Sequence, residues 1–390
     1  MSAPSVAHRV AGASAEEKAP AYDRLLLWAV LGLTAIGLTM VYSASAVKAA
    51  QGLGDSLYFA KRQVAAAAVG LAGMTLAMKL GYKRLEPLAY PILLAALVLL
   101  VLVLIPGIGT VAGGARRWIR FPLISFQPSE LAKIALVIYL ARSLARKREK
   151  VRDFSIGFVP HTLVAGLFTL LVLAQPDFGT SVTLGALLFV MLFAAGAKVS
   201  WLVGSVLLAI PVGWQLIAGK EYRMKRVLAF LDPWKYRQDI GYQVTESLIS
   251  VGSGGLFGLG LGAGKQKLYY LPEAHTDFII AVVGEELGLA GIVVVLALFG
   301  VVLWRGMRAA FNAPDAFGAY LALGLTCLLG LQAIGNMLVA MGMLPTKGLA
   351  LPFLSYGGTS LVLSLSAAGV LLAISSGTGG FLRPHRTVRR

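Results

Sequence analysis

LLLWAVLGLTAIGLTMVYSASA, residues 25–46, runs without a single charge. About 20 such residues cross the roughly 30 Å hydrocarbon core of a bilayer as a helix, so this stretch reads as a membrane span. Working outward from it, nine further runs meet the same criterion. They lie near residues 60–80, 86–107, 128–147, 157–175, 178–197, 199–218, Asp277 to Leu303, 316–342 and 352–376. The whole chain of 390 residues is 57% hydrophobic and 14% charged, where soluble domains hold about 45–50% and about 25%. The expected fold is an all-α integral membrane protein with about ten transmembrane helices. Residues 1–24 read as a disordered cytoplasmic tail, 25–376 as the membrane domain and 377–390 as a basic cytoplasmic tail.

The formal charge of +17 would suggest nucleic acid in a soluble protein. Here no basic domain stands apart from the spans, so nucleic acid is set aside. Most cations instead follow the positive-inside pattern. Lys79, Lys83 and Arg84, the run from Arg142 to Arg152, Lys198, Arg305 and Arg308 fall in alternate short loops. With an even number of spans this predicts both termini inside. The lone Cys327 excludes an internal disulfide.

Two outer segments break the pattern. One holds Arg116, Arg117 and Arg120; the other is a long extracytoplasmic loop, 219–276, before the eighth span, with Arg223, Lys225 and Arg226 among its cations. An anionic ligand would explain them, and so would pairing with Asp232, Asp239, Glu246 and Glu273. The loop is too apolar to be a free linker and is expected to pack on the helix ends, partly as amphipathic helix. Its GSGGLFGLGLGAG contains a GxGxxG-like string, but no strand precedes it. It reads as small residues for close backbone packing rather than a dinucleotide site.

LYYLPEAHTDFIIAVVGEELG, residues 268–288, carries the densest ionisable cluster at a membrane boundary. Such groups mark function or pairing. Asp277 fits either a functional carboxylate or a first-turn acid favoured by the helix dipole. On an unbroken helix Glu285 and Glu286 lie about 80° and about 180° round from Asp277. One of the two is expected to face the bundle and pair with a cation such as Lys133, the other to meet a partner helix or backbone. Glu273, His275 and Asp277 match no zinc spacing, though carboxylates suit Mg²⁺ or Mn²⁺. FQPSELAK (126–133) places Glu130 and Lys133 three apart, which suits a local ion pair. In PTKGLALPFLSYGGTS (345–360), a Pro/Gly-broken loop, Lys347, Ser355 and Tyr356 are candidates to line a cavity.

Together these segments resemble the SEDS family (shape, elongation, division, sporulation) over nearly the whole chain after the first tail. YLPEAHTDFIIAVVGEELG is very close to its hallmark segment. NMLVAMGMLPTKGLALPFLSYGGTS, from Asn336, fits its C-terminal signature, and RRWI and FQPSELAK look like family blocks. LPEAHTDF with Ala274 and VYSASA are more similar to the division branch than to the elongation branch.

The resemblance implies a peptidoglycan glycosyltransferase of the bacterial cytoplasmic (inner) membrane, working at the division septum. Its substrate would be lipid II, and its partners a class B penicillin-binding transpeptidase and other divisome membrane proteins, amid membrane lipids. The family's catalytic Asp falls on Asp277. Arg116, Arg117, Arg120, Arg223, Lys225, Arg226, Glu273, His275, Lys347 and Ser355 become candidates for the diphosphate and sugars. Glu130, Lys133, Glu285 and Glu286 become supporting residues. No tightly bound cofactor is expected, with Mg²⁺ or Mn²⁺ at most accompanying the substrate diphosphate. The rival reading is a flippase or transporter for the same lipid. The lack of an internal repeat and the placement of the sharpest acids at the boundary weigh against it.

Overall fold

A computed structural model describes residues 22–377 apart from 113, 121–124, 220 and 347. Lys347 and all of the two terminal tails except residues 22–24 and 377 therefore lie outside the described residues. Each of the ten apolar runs forms a helix: α1 (Arg24–Leu53), α2 (Tyr58–Leu80), α3 (Leu85–Leu102), α4 (Pro128–Lys147), α5 (Val159–Ala174), α6 (Phe178–Ala194), α7 (Val199–Ala218), α11 (Ile279–Phe311), α12 (Ala316–Ala340) and α13 (Gly358–Ser375). The segment between α7 and α11 adds α8 (Glu221–Leu231), α9 (Tyr242–Ser253) and the single turn α10 (Gln266–Tyr269). Seven helices of the described residues are long and apolar enough to cross a membrane.

One helix outside that set is α4, and the reason is its position. It carries Glu130, Lys133, Arg142, Arg146 and Lys147 at its ends, while Ala132 and the run from Ala135 to Ala141 are buried. It packs on α3 and α12. A helix buried by neighbours on most sides need not show lipid-facing hydropathy. Around it α2 packs on α13, α11 on α12 and α1, and α5 on α6.

The fold is mostly helical but not all-α, which corrects the expectation. Between α3 and α4 the chain forms a small antiparallel sheet in the order β1 (Gly109–Ala112), β2 (Ala115–Arg120), β3 (Ser125–Phe126). Thr110 pairs with Trp118 but Val111 with Arg116, so Arg117 is the extra residue of a bulge. A bulge bends the strand and re-aims the side chain at its centre.

The eighth apolar run departs most from its expected form. α11 is broken at Gly288, whose φ of 68° and ψ of −164° are not helical. The Gly-rich stretch 254–260 fills the break. Leu259 N–H and Gly260 N–H donate to the carbonyls of Glu285 and Glu286, and Leu289 and Ala290 N–H donate back to Gly255 and Leu256, all at 2.9–3.0 Å. Backbone groups freed by the break are thus satisfied within the protein, as an apolar surround requires. A Cβ on Gly288 would lie 2.3 Å from Gly258 N, and one on Gly258 2.1 Å from the Glu286 carbonyl. The glycines serve close backbone packing.

α9 is drawn into the bundle as well. Ser247 Oγ donates to the Ala340 carbonyl (2.7 Å) and Ser250 Oγ to the Ala281 carbonyl (3.2 Å). Gly288→Ala should lower the thermal unfolding midpoint, by the equivalent of about 1–3 kcal/mol, through left-handed strain and collision. Gly300→Ala, in the same helix with open space around its Cα, should leave the midpoint unchanged or raise it; equal effects would contradict the account.

Candidate functional site

PEAHTDF forms a compact turn between α10 and α11. Glu273 takes a left-handed φ of 55°, and its carbonyl accepts from Thr276 N–H and Asp277 N–H, both at 3.1 Å. Thr276 Oγ1 also donates to Glu273 Oε2 at 2.8 Å. The carbonyls of His275, Thr276 and Asp277 are each held from the C-terminal signature. His275 O accepts from Tyr356 N–H (2.8 Å), Thr276 O from Ser355 Oγ (2.5 Å) and Asp277 O from Asn336 Nδ2 (2.8 Å).

Asp277 is not a helix cap. The cap position of α11 is Phe278, without a side-chain cap bond, and α11 begins at Ile279. The first-turn reading therefore falls. Its residue is half-buried, and a Cβ on Gly348 would sit 3.3 Å from Asp277 Oδ2, so residue 348 lies directly against the carboxyl. Burial, and then the neighbouring Glu273 charge, push the Asp277 carboxyl up to about 7. Arg117 and Arg226 pull it down, and Asp177 adds to the rise. A carboxyl poised near neutrality is suited to taking up a proton at physiological pH.

The candidate cations separate into groups. Arg117, re-aimed by its bulge, donates from Nε to the Gln175 carbonyl at 2.9 Å and from Nη2 to Pro176 O at 2.5 Å, in the QPDFG turn. Arg226, on α8, donates to the Thr346 carbonyl at 3.1 Å. These two act electrostatically on Asp277. Arg116 turns instead to the Leu104 carbonyl (3.1 Å), and Arg120 is exposed at the far end of β2. Lys225 is exposed on α8, and the Arg223 side chain lies outside the described residues.

His275 is buried against Phe59, with ring centroids 4.7 Å apart, and Tyr356, at 5.6 Å. Burial lowers its pKa, against a raising effect of Glu273. The Ser355 hydroxyl, expected to meet substrate, is already committed: it donates to Thr276 O and accepts from Leu351 N–H at 2.8 Å. Gln63 of α2, which the sequence did not single out, is buried and donates to Ser355 O at 3.0 Å. Asn336 also donates to Leu349 O (2.6 Å), tying α12 to both loops, while its buried Oδ1 has no partner. Both are buried amides at helix positions with no helical partner, a signal hydropathy cannot supply. No group of three His, Cys, Asp or Glu among the described residues could hold a metal ion.

The supporting acids pair differently from expectation. Lys133 Nζ lies 2.6 Å from Glu130 Oε1, with side-chain exposures of 1% and 11%, so the local i,i+3 pair forms. Lys133 is not the partner of Glu285 or Glu286. Glu285 accepts from Lys265 N–H (2.6 Å), Gln266 N–H (3.1 Å) and Ser250 Oγ (3.2 Å), and Glu286 is ion-paired with Lys267. Both acids address the Gly-rich loop, because that loop folds back alongside α11 and meets the two faces the acids occupy. Lys133→Met should destabilise the protein by about 3–5 kcal/mol by leaving Glu130 buried without its cation. Making Glu130→Leu as well should recover much of the loss in a thermal melt.

The chain matches the family model described as cell cycle protein, covering FtsW, RodA and SpoVE, over residues 24–379, and it belongs to that family. It is 50% identical over 355 residues to a protein of Geobacter sp. (strain M18) named probable peptidoglycan glycosyltransferase FtsW, covering 91% of this chain and 97% of that one. It is 43% identical to the stage V sporulation protein E of Bacillus subtilis (strain 168), covering 90% and 96%. Among solved structures, a chain of a peptidoglycan synthase complex that coordinates polymerization and crosslinking superimposes with a TM-score of 0.76 at 33% identity, covering 91% and 98%. The rod shape determining protein RodA of Thermus thermophilus gives 0.68 at 31%, covering 91% and 97%.

Proposed function

We propose that this family member is a peptidoglycan glycosyltransferase that polymerises lipid II on the outer face of the bacterial cytoplasmic membrane, serving septal wall synthesis. The observation that carries the reading is the Asp277 carboxyl. Its residue is half-buried, and the carboxyl is poised near pH 7 by burial and Glu273 against the opposing charges of Arg117 and Arg226, in a chain half identical to proteins named for that activity. Ten spans with both termini inside, the orientation the loop charges favour, would put this carboxyl at the outer membrane boundary, where a lipid-linked sugar arrives. A class B penicillin-binding transpeptidase is the proposed partner, in keeping with the similarity to a chain of a peptidoglycan synthase complex.

The transfer joins a GlcNAc 4-hydroxyl to the anomeric carbon of the growing strand. The α-linked diphosphate leaves and a β-1,4 bond forms. Such an inverting displacement needs a base on the incoming oxygen and neutralisation of the departing anion. Asp277, as carboxylate, accepts the hydroxyl proton. Arg117 and Arg226, whose charges reach Asp277, are the proposed guanidinium donors to the diphosphate. Glu273 tunes Asp277 by holding its proton affinity high. Mg²⁺ or Mn²⁺ would at most accompany the substrate diphosphate, and no step is assigned to it.

The test is purified protein with its transpeptidase partner and labelled lipid II in detergent, read as polymer on a gel. Asp277→Asn should cut the rate by about 10²–10⁴-fold, the range of a lost general base. A normal rate would sink the assignment, and lipid translocation in vesicles without polymer would favour a flippase. The wild-type rate should fall as pH drops through about 7, because the base becomes protonated. Glu273→Gln should move that midpoint down and Arg117→Gln should move it up.

Stability carries the opposite sign. Between the ordinary carboxylate range and about pH 7, folded Asp277 holds a proton that the unfolded chain has lost, so stability falls as pH rises through that window. Asp277→Asn should therefore melt higher than wild type at pH 8 while being inactive; a lower midpoint would show that the carboxylate is held by favourable contacts instead.

A further inference from the structure

The chain from Gly262 to Glu286 forms a closed loop with Asp277 within it, and its neck is held by charge. Lys267 and Glu286 pair with side-chain exposures of 4% and 0%. Ser43 of α1 completes the cluster: its Oγ lies 2.8 Å from both Glu286 carboxylate oxygens and accepts from Lys267 Nζ at 2.8 Å. Gly262 N–H donates to Glu286 Oε2 at 3.0 Å. Beside it, Glu285 receives the N–H groups of Lys265 and Gln266. Two successive carboxylates thus gather residues 262, 265, 266 and 267 on one side and α1 on the other. No room is left at the centre: a Cβ on Gly264 would fall 2.9 Å from Glu285 Oε2 and 3.1 Å from Glu286 Oε1.

Burying ions is a costly way to hold a loop, and an apolar cluster of the same volume commonly matches or exceeds it in stability. What charge adds is direction. A carboxylate that takes backbone N–H groups accepts one register of the loop, whereas apolar contacts tolerate several. The segment that follows this neck, 268–278, carries the carboxyl whose position matters to within about 0.5 Å for transfer chemistry.

We infer that Lys267, Glu286, Glu285 and Ser43 form a buried ionic latch whose role is to position the Asp277 loop. They are positioning residues, since none of them touches the Asp277 carboxyl. The inference deepens the proposed function and rests on it for its kinetic consequence, though not for its structural one.

The experiment compares wild type, Lys267→Met, Ser43→Ala and the apolar double variant Lys267→Met/Glu286→Met, purified with the transpeptidase partner. Three quantities are read: thermal midpoint, hydrogen exchange by peptide, and kcat and KM for lipid II polymerisation. Lys267→Met should raise exchange in 268–278 at least tenfold while α4 and α12 peptides stay protected. It should cut kcat at least tenfold, with KM changed less than twofold. The double variant should regain the wild-type midpoint yet keep the low kcat and the fast exchange. If kcat returns together with the midpoint, the cluster is a stability element and the inference is overturned. Should Lys267→Met not fold, Ser43→Ala decides: the same local exchange and kcat loss supports the latch, and wild-type values of both overturn it. Were wild type itself to make no polymer, the proposed function would fail. The exchange data alone would then decide the latch, with a rise confined to 268–278 supporting it and no rise overturning it.

Discussion

Three consecutive carbonyls, those of His275, Thr276 and Asp277, are held by Tyr356 N–H, the Ser355 hydroxyl and the Asn336 amide. The rest of the site depends on this stitch. Free backbone carbonyls in an apolar surround are costly, so the turn that carries Asp277 exists only where another segment supplies donors. Those donors come from α12 and the loop before α13, which links the two most distinctive stretches of the chain, some sixty to eighty positions apart. The same contact lays Gly348 against the Asp277 carboxyl and ties Gln63 of α2 into the wall. Desolvation of Asp277 is thus a consequence of backbone satisfaction.

The break in α11 follows the same logic on the other side of the turn. A helix passing straight through would have left the amides of Leu259 and Gly260 without the carbonyl partners they find here. By opening at Gly288, α11 exchanges hydrogen bonds with residues 255–260. Its two successive acids then take up the loop that the exchange brings alongside. Irregular backbone is tolerated here because four backbone bonds cross the break between α11 and the Gly-rich segment.

Much of the helical plan was legible in the sequence, since a hydrocarbon-spanning helix must be apolar over a length set by the bilayer. The Glu130–Lys133 pair was legible too, because i,i+3 spacing on a helix is local geometry. Legibility ended where placement depended on partners remote in sequence. Arg116, Arg117 and Arg120 read alike as cations, and only the bulge in β2 turns Arg117 to the QPDFG carbonyls. Ser355 read as a substrate contact, yet its hydroxyl is taken by Thr276 and Leu351. Asp277 read as either a cap or a functional acid, and the start of α11 at Ile279 removes the first.

By itself, then, the sequence determined the membrane class, the presence and order of the ten apolar helices, and the segment that carries Asp277. Periodicity, length and composition are local properties, and local physics suffices for them. The tertiary structure decided which charges meet. Glu285 and Glu286 were expected to part company at 100° per residue, one of them pairing with a cation such as Lys133. Instead a loop wraps a broken helix and brings Lys265, Gln266 and Lys267 to both acids. A buried charge takes the partner that packing delivers, and packing is a property of the whole chain.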